Sequence, residues 1–112
     1  MQCHTPFGEH GPDASMAYAG GLEVPEPFGT WRSTNLTPDE ETGIGAFCDE
    51  ELVNAIRQMR KRDGSLIHGP MALYQQGWYQ LTDDDAMAIV AFLRSLPPAH
   101  HEVPESTFVP RQ

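Results

Sequence analysis

Pro27–Phe47 reads PFGTWRSTNLTPDEETGIGAF, and it carries Gly29, Gly43, Gly45 and Pro38 with no sustained helical or alternating apolar period. It is the centre of a longer segment, residues 5–46, that Gly20-Gly21, Pro25 and Pro27 also punctuate. Such a segment reads as one long ordered loop. A loop of that length inside a compact domain calls for an object to wrap around. The stretch therefore points to a prosthetic group at the centre of the fold.

The composition agrees. Ten Gly and ten Pro among 112 residues, about 18%, exceed the average usage of about 12% and predict short helices joined by long turns. A chain of this length buries only about 60–65% of its unfolded surface, so a bound cofactor would add stability. The longest apolar run, Ala86 to Leu93, is eight residues, against the roughly 20 needed to cross a bilayer. Up to Ile56 the chain holds ten acidic residues and one base, Arg32, while beyond it six acids balance six bases. So acidic a surface repels phosphate backbones, which argues against nucleic acid and for a protein partner with a basic docking face.

Two helices are legible. Leu52, Ala55, Ile56 and Met59 form one apolar stripe, with Asp49, Glu50 and Glu51 in the first turn and the Arg57–Arg62 cluster in the last, matching the helix dipole at both ends. Cys48 takes the cap position, and Asp63-Gly64 ends the helix. A second loop, residues 65–81, leads to Thr82, with Asp85 three residues on, and to a helix whose buried face is Ala86, Ile89, Val90, Leu93 and Leu96. Pro97-Pro98 stops it, and the tail beyond reads as extended or disordered, its last stretch being residues 105–112.

Cys3-His4 is the most informative pair. In a C-x-x-C-H site two thiols attach a haem and the adjacent histidine ligates its iron, and here the second half of that motif stands at the head of the chain. The order of CHTP, YAGG, PFGTWRSTNLTPDEETGIGAF, DEELVNAIRQMRKRDG, GPMALY and LTDDDAMAIVAFLRSLPP resembles the c-type cytochrome domain of cytochrome subunits in bacterial membrane-bound dehydrogenases. The resemblance runs from Cys3 to about Pro104, so the cytochrome domain is taken as residues 1–104.

That resemblance implies an all-α fold, a few short helices and long loops around one haem c, without the family's N-terminal helix. It implies Cys3 as the thioether attachment point, His4 as the proximal iron ligand and Met71 as the distal one. Imidazole opposite a thioether suits one-electron transfer, not catalysis: electrons pass from a dehydrogenase partner towards the respiratory chain. Ala72 stands where the family has proline after the ligand methionine, which makes His68 a competing ligand. Trp31, Ser33, Thr34, Asn35, Tyr74 and Arg57 are of the types that cover a ring or pair with propionates. Met59 and Met87 read as core, and His10, His100 and His101 as surface.

The first thioether cysteine of the pattern falls just before Met1. The expectation is that Met1 is internal to a longer gene whose motif reads C-M-Q-C-H, with export to the periplasm or to a membrane-associated complex. In the chain as it stands no export signal is seen, one thioether forms through Cys3, and the face of Ala86, Ile89, Val90 and Leu93 loses its partner. Other readings are a haem sensor with an open sixth site, a non-functional fragment, and a non-haem metal or structural domain using Cys3, His4, Cys48 and other histidines.

Overall fold

The computed structural model describes residues 3–27, 29–61, 64, 67 and 75–108. The chain divides into two compact units, Met1–Ala46 with Leu96–Gln112, and Phe47–Ser95.

The first unit is built from turns, short strands and a buried polar network. Strands β1 (Phe7–Gly8) and β2 (Gly11–Pro12) pair antiparallel. A 3-10 turn, Ala14–Met16, follows, capped by Asp13, whose carboxylate accepts from the Ser15 N–H at 3.0 Å. Strands β3 (Glu23–Glu26) and β4 (Gly29–Arg32) form a hairpin in the register Glu23↔Arg32, and β5 (Thr107–Phe108) adds to the free edge of β4. Pro25 sits on β3, an edge strand, where its missing N–H costs no ladder bond.

The all-α expectation is therefore overturned: the described residues hold three α-helices and five short strands in two antiparallel sheets. Strands of two to four residues are too short to show a period. The third strand of the larger sheet also comes from the far end of the chain. Arg32 fastens that tail, its N–H donating to Ser106 Oγ at 2.8 Å and its guanidinium to the Glu105 carbonyl at 2.9 Å.

The loop after β4 folds on itself. Asp39 Oδ2 accepts from both the N–H and the hydroxyl of Thr42, at 2.8 and 2.6 Å. The Ile44 N–H reaches back to the Thr37 carbonyl at 2.8 Å. Gly43 is required there, since a Cβ at that position would lie 2.1 Å from the Thr37 carbonyl oxygen.

The second unit is helical: α1 (Asp49–Gln58), α2 (Gln75–Tyr79) and α3 (Asp83–Ser95). Glu51 accepts from the Cys48 N–H at 2.9 Å to start α1, and Thr82 Oγ accepts from the Asp85 N–H at 3.1 Å to start α3. The helix α1 stops earlier than its stripe suggests, because Met59 turns left-handed at φ +53° while keeping its side chain buried. Arg94 in the last turn of α3 binds Asp49 at 2.7 Å, and Arg57 at the end of α1 pairs with Asp83 at the start of α3. Opposite ends meet, so the two helices run antiparallel. Ala86, Val90 and Leu93 are buried with Leu52 of α1, so the face expected to lie unpartnered is the packed one. The exposed large apolar residues of α3 are Met87 and Phe92 instead.

Candidate functional site

His4 is held along its backbone and at its ring. The Gly20 N–H donates to the His4 carbonyl at 2.7 Å, and next to it Thr5, fully buried, accepts from the Tyr18 N–H at 3.1 Å. The imidazole Nδ1 lies 2.8 Å from the Thr34 carbonyl oxygen. A carbonyl only accepts, so Nδ1 carries the proton and Nε2 keeps its lone pair. Burial holds the imidazole below its ordinary pKa of 6.5, with the Thr34 bond pulling the other way. The result is a neutral ring of one tautomer with Nε2 as its donor atom, the form in which histidine ligates a metal.

Beside it, Cys3 is an exposed free thiol. Within the helical unit, Trp78 Nε1 is buried with no hydrogen-bond partner. A thiol next to an imidazole with a free Nε2 offers one thioether and one iron ligand, and Cys3 and His4 in this way fit a covalently attached porphyrin. Among the described residues no three His, Cys, Asp or Glu side chains converge as a metal site, so the reading with Cys3, His4 and Cys48 as ligands finds no such cluster.

Met71, with His68, Ala72 and Tyr74, lies outside the described residues. Several other candidates have partners of their own. Arg57 is engaged by Asp83, and Ser33 Oγ accepts from the Leu22 N–H at 3.0 Å. Asn35 is buried and its amide is fully used: Nδ2 donates to the Ala99 carbonyl at 2.8 Å and to Thr42 Oγ at 3.2 Å, while Oδ1 accepts from the Thr37 N–H and hydroxyl. A propionate-binding role for Asn35 is thus replaced by a structural one. Met59 is buried, as its place on the stripe implies, but Met87 is exposed.

His100 stands at the surface, 3.5 Å from Asp39. His101 differs from its surface reading: it is half-buried, with Nδ1 3.0 Å from the Ala19 carbonyl and its N–H on Thr42. Sequence reasoning misses Thr5, Gly20 and His101. Only the Gly20-Gly21 pair leaves a visible sign, for a Cβ at Gly20 would lie 2.4 Å from the Thr34 carbonyl.

No family model matches the chain. It is similar to the cytochrome c subunit of a quinone alcohol dehydrogenase from Gluconobacter oxydans (strain 621H), at 42% identity over 92 residues, covering 82% of this chain and 18% of that protein. The cytochrome subunit of a fructose dehydrogenase from Gluconobacter japonicus is 33% identical over 86% of this chain and 19% of its own length. The gluconate 2-dehydrogenase cytochrome c subunit of Pantoea cypripedii is 31% identical over 82% of this chain and 19% of its own. The chain thus spans about a fifth of the length of these curated relatives. Sharing 31–42% of its residues with such subunits along most of its length, the chain belongs to the c-type cytochrome domains.

Proposed function

We propose that this domain carries one haem c and passes single electrons from a dehydrogenase partner towards a respiratory chain, on the periplasmic side of a membrane. The observation that carries this reading is the His4 ring bound through Nδ1 to the Thr34 carbonyl, beside the Cys3 thiol. When bound, haem supplies a one-electron couple with no substrate bond made or broken. Cys3 would hold the porphyrin through a thioether, its S–H adding across a vinyl group with sulfur on one carbon and hydrogen on the other and no oxidant consumed. His4, through Nε2, and Met71 would be the side chains that hold the iron, a pairing that would raise the reduction potential and exclude other ligands.

The partner presents a basic face. Shallow depressions in the first unit are lined by Asp39, Glu40, Glu41 and Glu102 around His100, and the four carboxylates support docking to cations. Encounter rates with such a partner fall as salt rises, because exposed charges are screened.

The test is expression of the chain with cytochrome maturation machinery. A covalently bound haem with a six-coordinate spectrum is expected, along with its loss in His4→Ala and a five-coordinate, carbon monoxide-binding form in Met71→Ala. Colourless protein, or an unchanged spectrum in His4→Ala, overturns the reading.

A further inference from the structure

We propose that Asn35 is a positioning residue for the His4 imidazole, acting through the Thr34 carbonyl; this rests on His4 being an axial ligand. Thr34 itself is exposed. Its carbonyl belongs to the planar peptide that joins it to Asn35, so whatever fixes Asn35 fixes the carbonyl direction.

Asn35 is 4% exposed and bonded at both ends of its amide. Its Oδ1 accepts from Thr37 Oγ at 2.7 Å and the Thr37 N–H at 2.9 Å, and its Nδ2 donates to the Ala99 carbonyl at 2.8 Å. From the other side, the backbone of Gly20 packs so closely on the same peptide that a Cβ there would stand 2.7 Å from the Asn35 nitrogen. Gly20 also donates to the His4 carbonyl at 2.7 Å. One residue thus sets the spacing between the His4 backbone and the peptide that its ring binds.

With both ends of the imidazole fixed in this way, rotation of the ring about its Cβ–Cγ bond is arrested and Nε2 has one direction. A firm Nδ1–H···O=C bond also gives the ring partial anionic character, which favours the oxidised state of a metal bound at Nε2. Loosening the carbonyl weakens that effect.

The experiment uses the haem-loaded chain. Asn35→Ala removes both ends of the amide without adding a charge, and Thr42→Val, which keeps Asn35 but removes one Nδ2 acceptor along with the hydroxyl's bonds to Asp39 and to the His101 N–H, is the second variant if Asn35→Ala does not fold. The readouts are the midpoint potential and the proton resonances of the His4 ring in the oxidised protein. Both variants are expected to raise the potential and move those resonances. Thr82→Ala, at the cap of α3, is expected to lower the unfolding midpoint and leave both readouts in place. A folded, haem-loaded variant that loses stability while its potential and His4 resonances stay at wild-type values overturns the positioning role. Wild-type protein whose His4 resonances show no influence of the metal overturns the ligation reading, and the positioning role with it.

Discussion

The two units of this chain are stabilised in different ways. In the helical unit, Leu52, Met59, Ala86, Val90 and Leu93 are buried and the polar bonds are concentrated at helix ends and in surface ion pairs. In the loop-rich unit the buried residues among those described are Ala19, Gly20 and Ile44 together with Thr5, Asn35 and Thr37, and the segments are joined by directed hydrogen bonds. Apolar packing is tolerant of detail, because any side chain of about the right volume restores most of it. A buried polar network is not, because each group removed leaves another without a partner.

The contrast is broken most directly at Asn35. Asn35→Leu keeps the volume and abandons the Thr37 N–H and Ala99 carbonyl, and a loss of about 3 kcal/mol is expected in denaturant unfolding. A near-neutral result would show that the loop unit, too, is held by packing. In the helical unit, Val90→Ala removes buried methyl groups and is expected to cost about 2 kcal/mol, less than Asn35→Leu although both side chains are buried. Thr82→Ala removes the cap of α3, and a loss of about 1 kcal/mol is expected, read as lower helicity on mild heating.

The smallest effect is confined to acid. Two bonds from Thr42, the side-chain one first, hold the Asp39 carboxylate below its ordinary 3.8. As pH falls, the unfolded chain takes up this proton before the folded one does. The stability from this group is complete above pH 3.8 and is lost as the pH drops through the lowered value. Asp39→Asn should flatten the acid limb of a plot of unfolding midpoint against pH and leave the neutral region parallel to wild type. An unchanged acid limb would mean that the Asp39 turn does not take part in unfolding.

Legibility follows the same division. The helices α1 and α3 are readable because their apolar stripes and end charges lie within a few residues of each other. The short helix α2 reads as loop, since its five residues contain Gly77 and carry no stripe. The hairpin of β3 and β4 reads as loop as well, being too short for a period. Within the candidate site, Cys3 and His4 stand out by residue type. The partner of His4 does not, because a backbone carbonyl has no letter of its own.

Local information alone therefore determined the two longer helices, the acidic first half, the cytochrome resemblance and the Cys3-His4 pair. Tertiary structure alone decided that the fold is not all-α, that β5 joins β4, that Thr34 orients His4 from 30 residues away and that Asn35 reaches Ala99 across 64. The physical reason is range. Propensity, capping and amphipathicity act over one or two turns of chain, whereas a hydrogen bond between distant segments exists only once the rest of the fold has brought donor and acceptor together.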